Sequence, residues 1–244
     1  MNSTPKRIGV LSVQGAFAEH VELLKKLGAR PFEIRNIQDI QKPFDGLVLP
    51  GGESSVQARL LRDLQLFEPL KRHIAQGMPT LATCAGLILL ARELKGAGDL
   101  AARDSKTERV LARMRIQVMG FRTLDVCVMR NAYGRQTSSF CAEVPLPVDA
   151  SAGVHSALES SALAVAPAPA VAAPAAITPA PAKATLRLSF IRAPKIVSLG
   201  SHVKSLVTLD GVSVCVQENN QIAMAFHPEV DEETYFHEHM LKMC

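Results

Sequence analysis

From Ile8 to Leu94 the chain alternates short apolar runs with stretches of helical spacing, and few folds accommodate that pattern. Ile8–Val13, Pro31–Arg35, Gly46–Leu49 and Pro79–Thr83 read as strands. Between the first two, Phe17, Val21, Leu24 and Leu27 recur on one helical face before Gly28 ends the segment. Leu60–Gln76 reads as helix, divided near Pro69 and closed by Gly77, and the apolar Gly86–Leu94 as a buried helix. Strands separated by helices pair in parallel, and the crossovers cover both faces of the sheet. The sequence therefore predicts an α/β three-layer sandwich with a mostly parallel central sheet flanked by helices.

The second half is less regular. Lys95–Gln117 has no clear periodicity and reads as a surface insertion, after which Leu124–Met129 resumes as a strand. Val148–Ala184 is an Ala/Pro tract, with ten Ala and five Pro in Ala164–Ala182 alone. Such a stretch lacks both backbone donors and side-chain area to bury, so disorder is expected. Leu186–Arg192 is extended, and Asp210-Gly211 between Val203–Leu209 and Val212–Val216 marks a tight hairpin, a small antiparallel extension of the sheet. Gln221–Phe226 is a last strand and Asp231–Met243 a closing helix. With 244 residues, the reading is one domain spanning 1–244 with insertions at about 95–117 and 148–184.

Composition removes several classes of function. A formal charge of +4 comes from scattered Lys and Arg, with no run to track phosphates, so no nucleic-acid partner is expected. The five prolines of Ala164–Ala182 break the one long weakly polar tract, so no membrane span is expected either. No signal-peptide core follows the basic start, and the five cysteines are odd in number and contain no C-x-x-C pair. Reduced thiols and a cytoplasmic location follow as expectations.

Three motifs stand at the carboxyl ends of strands, where open α/β sheets bind ligands. Cys84, in Thr83-Cys84-Ala85-Gly86, lies where a strand turns into a helix, with small neighbours that allow a sharp turn. A helix N-terminus there favours the reactive thiolate. In His227-Pro228-Glu229 the proline pushes His227 into an extended conformation, which directs the imidazole and the carboxylate to one side. A nucleophile, a base and a group orienting the base are the components of acyl transfer. Pro50-Gly51-Gly52-Glu53-Ser54-Ser55 supplies paired glycines whose backbone N–H groups are free to face an oxyanion. Taken singly, these are also a buried structural cysteine, a polar loop and a turn; their joint occurrence argues for chemistry.

With those residues in view, the chain resembles the class I, triad-type glutamine amidotransferases. More narrowly, Val13-Gln14-Gly15-Ala16, Arg130-Asn131-Ala132-Tyr133-Gly134-Arg135-Gln136, Ser139-Phe140 and Phe190-Ile191-Arg192-Ala193-Pro194 are similar to the glutaminase-subunit family of pyridoxal 5′-phosphate synthase. The resemblance covers about Ile8–Leu94, Gly120–Val144 and Phe190–Met243. It implies that Cys84 attacks the carboxamide of L-glutamine, that His227 carries the protons and that Glu229 orients His227. It further implies substrate contacts at Gly52, Glu53, Ser54, Arg130, Ile191 and Arg192. Arg130 or Arg192 suits the substrate carboxylate and Glu53 its ammonium. The oxyanion donors are expected from Ala85 and the Gly51-Gly52 turn, and Gln14 is expected at the junction with a synthase subunit. That partner, in the family, is a TIM-barrel protein that turns the ammonia into the vitamin B6 coenzyme. No cofactor and no metal are implied. Ala82 departs from the glycine usual in the family two residues before the nucleophile.

Two rival readings stay open: a glutaminase or γ-glutamyl hydrolase serving other chemistry, and a catalytically silent docking or regulatory subunit on the same fold. His237-Glu238-His239 invites a metal reading, but residues i and i+2 of a helix point about 200° apart, so a solvated helix end is expected. His20, His73, His155 and His202 are assigned structural or surface roles, as are Cys127, Cys141, Cys215 and Cys244.

Overall fold

The computed structural model describes residues 4–95, 120–130, 139–145 and 185–244. Its main sheet has seven strands in the order β10-β11-β12-β4-β3-β1-β2. The strands are β1 (Arg7–Leu11), β2 (Arg30–Ile34), β3 (Gly46–Leu49), β4 (Thr80–Thr83), β10 (Lys204–Leu209), β11 (Val212–Glu218) and β12 (Gln221–Met224). The five from β12 to β2 pair in parallel, and β10 and β11 extend the sheet as an antiparallel hairpin. Asp210 (φ 49°) and Gly211 (φ 75°) turn that hairpin as the Asp-Gly pair predicts.

Every residue of β3, β4 and β12 is buried. That requires cover on both faces, which the helices supply: α1 (Phe17–Lys26), α2 (Ser54–Asp63), α3 (Phe67–Ala75), α4 (Ala85–Leu90) and α5 (Tyr235–Met243). The predicted α/β sandwich with a mostly parallel sheet is what forms. Two smaller sheets flank it, one of β5 (Ala91–Lys95), β6 (Leu124–Met129) and β9 (Lys195–Leu199), the other an antiparallel ribbon of β7 (Phe140–Pro145) and β8 (Thr185–Phe190). Phe140 stacks on Phe190, Phe190 meets Phe226 edge-on and Phe226 tilts against Phe236, a row that ties the ribbon to the segment after β12 and to α5.

Three local expectations are corrected. The helix expected from Leu60 starts at Ser54, because the Glu53 side chain caps it by accepting from the Ser55 backbone N–H. The break before α3 falls at Gln65 (φ 58°), and Pro69 sits within the first turn of α3, where a missing N–H costs nothing. The helix expected over Gly86–Leu94 ends at Leu90, and Ala91–Lys95 becomes β5, paired to β6; an unbroken apolar run does not distinguish buried helix from buried strand. Most of the Lys95–Gln117 insertion, the Ala/Pro tract and Asn131–Gln136 lie outside the described residues.

Sheet order sets the position of the site. The chain runs from β1 outward to β2, then returns to the other side of β1 as β3 and continues to β4. The carboxyl ends of β1, β3, β4 and β12 therefore open side by side at the point where the winding reverses.

Candidate active site

Register brings the motifs together. Leu49 of β3 pairs with Ala82 of β4, and Thr83 of β4 with Met224 of β12. The Gly51-Gly52 turn, Cys84 and His227 therefore leave adjacent strands within a few residues of one another.

Cys84 occupies the turn between β4 and α4 with φ 46° and ψ −95°, a backbone conformation that side chains rarely adopt. Its N–H donates to the Met224 carbonyl at 2.8 Å, and its own carbonyl accepts from Ile88 N–H at 3.3 Å. Gly86 is required beside it, since a Cβ there would stand 2.2 Å from the Leu49 carbonyl oxygen. The thiol donates to the Ile191 carbonyl oxygen at 3.9 Å and lies close enough to His227 to raise the imidazole's proton affinity.

His227 follows β12. Its backbone N–H donates to the Ser189 carbonyl at 2.8 Å, and its Nδ1 meets Glu229 Oε1 at 2.7 Å. Burial alone would lower its proton affinity; the neighbouring Cys84 and the hydrogen-bonded Glu229 carboxylate instead push its pKa up to about 10. Burial acts on the Glu229 carboxyl in the opposite sense, yet His20 and His227 hold it below the usual carboxylate range. The His–Glu pair is thus built to carry a proton as imidazolium against a carboxylate.

The glycine loop packs directly on this pair. A Cβ on Gly51 would fall 2.3 Å from His227 Cε1, and one on Gly52 (φ 157°) would fall 2.5 Å from Gln14 Oε1. Gln14 Oε1 accepts from the Glu53 N–H at 2.8 Å. Gln57, fully buried in α2, donates from Nε2 to the carbonyls of Gln14 and Pro50 at 2.9 and 3.2 Å. The Gly51 carbonyl accepts from Ala16 N–H at 3.1 Å. Ala85 is fully buried in the first turn of α4.

Of the expected substrate contacts, Glu53 and Arg130 face each other, Arg130 Nη2 lying 3.3 Å from Glu53 Oε1. Ser54 is buried at the start of α2. Ile191 is exposed, and Arg192 (φ 48°) lies in the turn after β8.

Sequence reasoning missed three contributors: Gln57; Ser189, whose carbonyl anchors His227; and His20. The expectation of a solvated helix end at His237 is also corrected. His237 is fully buried and faces His20, which is itself fully buried beside Glu229. No group of three or more His, Cys, Asp or Glu among the described residues is arranged to hold a metal ion.

Comparison with known proteins gives the family. The sequence model of the SNO glutamine amidotransferase family matches residues 10–150 and 181–244. Pyridoxal 5′-phosphate synthase subunit PdxT of Methanocorpusculum labreanum is 39% identical over 237 residues, 97% of this chain and 97% of the relative. The PdxT subunit of Desulfitobacterium hafniense is 40% identical over 235 residues, 96% of this chain and 92% of the relative. A crystal structure described as a glutamine amidotransferase superposes with a TM-score of 0.69 at 27% identity, covering 97% of both chains. Fold and site define a glutamine amidotransferase. Within that class, the chain belongs to the SNO glutamine amidotransferase family.

Proposed function

We propose that this chain is the glutaminase subunit of a pyridoxal 5′-phosphate synthase, and that it hydrolyses L-glutamine to L-glutamate and ammonia through Cys84, His227 and Glu229. The observation that carries the reading is Cys84 on the strained turn after β4 beside His227, which is hydrogen-bonded to Glu229 at 2.7 Å, in a chain 39% identical to a PdxT subunit.

His227, its proton affinity raised, already holds as imidazolium the proton taken from Cys84, and the thiolate sulfur attacks the substrate's carboxamide carbon. The resulting oxyanion is received by the backbone N–H of Ala85 and one from the Gly51-Gly52 turn, each worth roughly 3 kcal/mol in the transition state. The C–N bond breaks as His227 returns its proton to the nitrogen, which leaves as ammonia. Water, deprotonated by His227, then attacks the thioester, and glutamate departs as Cys84 is restored. Glu229 stays ionised and stabilises the imidazolium.

Arg130 and Arg192 provide cations for the substrate carboxylate and Glu53 an anion for its ammonium, with Gly52, Ser54 and Ile191 lining the site. Because Glu53 and Arg130 are only partly buried and face each other, each exchanges a weak mutual contact for the substrate's opposite charge. Gln14, beside the glycine loop, stands at the junction with a TIM-barrel synthase subunit, to which the ammonia passes. The chain acts as one domain with two surface insertions, in the cytoplasm, where its five free cysteines remain thiols.

Glutamate release from L-glutamine by the purified chain, alone and with a pyridoxal-phosphate synthase subunit, tests the reading, with Cys84→Ala as control. Release that rises with the partner and vanishes in Cys84→Ala is expected. No release in either condition would favour the silent docking subunit.

A further inference from the structure

Two histidines distant in sequence meet behind the His227–Glu229 pair. His20 comes from α1 and His237 from α5, and both are fully buried. His20 Nδ1 and His237 Nε2 are 2.8 Å apart. The other ring nitrogen of His20, Nε2, lies 3.5 Å from Glu229 Oε2 and 3.3 Å from Thr83 Oγ1. Glu229 Oε2 is the oxygen left over once Oε1 is engaged by His227; it is buried and makes no hydrogen bond among the described residues. Cys84, His227, Glu229, His20 and His237 thus form one continuous row.

Counting protons constrains the far end of the row. Between two imidazole nitrogens at hydrogen-bond distance only one proton fits. If His237 donates it, neutral His20 carries its own proton on Nε2, toward Glu229. If His20 donates it, the bare Nε2 accepts from the Thr83 hydroxyl at 3.3 Å and Oε2 remains without a donor. His237 Nδ1 is buried and has no hydrogen-bond partner among the described residues. The carboxylate, a charged acceptor, makes the stronger bond, which favours the proton on His20 Nε2.

Resting on the reading of Cys84, His227 and Glu229 given above, we propose that His20 is a positioning residue: held as its Nε2–H tautomer by His237, it faces the outer oxygen of Glu229 across 3.5 Å and, by attracting it, keeps the inner oxygen on His227. The terminal torsion of a glutamate is broad, so a carboxylate gripped at one oxygen alone is free to turn.

The arrangement also fixes a direction with pH. The groups that face His20 are Glu229 and His227 from the segment after β12, His237 from α5, Thr83 from β4 and Glu19 on its own helix. Burial lowers the proton affinity of His20 and of His237, so the pair is neutral at ordinary pH. A donor from neutral His20 on the outer oxygen favours the ionised form of the Glu229 carboxyl. Its removal lets that carboxyl take up a proton at higher pH, and a protonated Glu229 no longer supports the imidazolium.

The test compares His20→Leu with His20→Gln, whose amide still donates, in the complex with the synthase subunit. His20→Leu is expected to lower kcat roughly tenfold or more at unchanged KM, the scale for losing a group that orients an active side chain. The acid limb of kcat, and that of Cys84 alkylation by iodoacetamide, should move up by about one pH unit. His20→Gln should recover most of both. An unmoved acid limb in His20→Leu, or equal losses in the two variants, would overturn the proposal. Nitrogen-15 NMR of the wild-type histidines needs no variant: a protonated Nε2 with a bare Nδ1 on His20 is expected, and the reverse tautomer would overturn it. A shifted alkylation limb without any glutamine turnover would support the positioning role and refute the proposed function.

Discussion

Replacing Gly51 by alanine tests whether the placement of His227 limits the chemistry. The Gly51 φ is not positive, so alanine is compatible with the backbone. The new Cβ would nevertheless stand 2.3 Å from His227 Cε1 and 2.8 Å from Nδ1, where ordinary contact begins at 3.4 Å. The ring must retreat by roughly 1 Å, a misplacement that costs about a hundredfold in rate. It has little room to do so, because its backbone N–H is bonded to Ser189 at 2.8 Å and its Nδ1 to Glu229 at 2.7 Å. Any retreat lengthens the Glu229 bond or turns Nε2 away from Cys84. The overpacking costs ~1–3 kcal/mol of stability, partly offset by ~0.4–1 kcal/mol from the less flexible unfolded chain. Activity should therefore fall far more than stability. The assay is kcat/KM for glutamate release in the synthase complex, with urea unfolding measured in parallel. Gly28→Ala is the control: nothing lies within 4 Å of its Cβ, and its φ of +77° strains only the end of α1, so stability drops by ~1 kcal/mol and activity is kept. A Gly51→Ala enzyme within threefold of wild type would refute the reasoning.

Other predictions follow from burial and charge. His20 and His237 are held neutral by burial, whereas in the unfolded chain they take up protons as pH falls below the usual 6.5. Stability should therefore decline on that side by ~1.4 kcal/mol per pH unit for each; a urea midpoint flat from pH 7 to 5 would contradict this. His227, raised to about 10, acts in the opposite window: its contribution is complete below pH 6.5 and is lost as pH rises through about 10, which the same titration carried to pH 10.5 should reveal. Arg130→Ala removes a half-exposed ion pair with Glu53, so melting should barely change while the KM for glutamine rises; an unchanged KM would remove Arg130 from the substrate site. Leu81→Ala hollows the middle of β4 at a fully buried position and should cost ~3 kcal/mol by urea unfolding; a loss below 1 kcal/mol would mean the sheet repacks around the gap.

The parallel sheet and the three site motifs were legible because their signals are local. A strand followed by Cys84-Ala85-Gly86, or a proline fixing His227, is written within a few residues. The Asp210-Gly211 hairpin was legible for the same reason. His20 and His237 were not: they lie 217 residues apart, and each occupies a helix whose sequence leaves the depth of burial undecided. Only the packing of α1 and α5 near the carboxyl end of β4 makes them neighbours of Glu229. Gln57 escaped notice likewise, since nothing local distinguishes a glutamine that binds two carbonyls from one in solvent. The end of α4 at Leu90 depends on pairing between β5 and β6, a contact made across the intervening insertion.

The central claim is that Cys84 forms a covalent bond to the substrate's side-chain carbon. A diazoketone analogue of L-glutamine, incubated with the synthase complex and followed by peptide mass spectrometry, tests it most directly. One adduct on the peptide carrying Cys84, suppressed by excess L-glutamine and absent from Cys84→Ala, is the predicted result. Labelling spread over Cys141 and Cys244, or an unlabelled Cys84 in a complex that releases glutamate, would contradict the account.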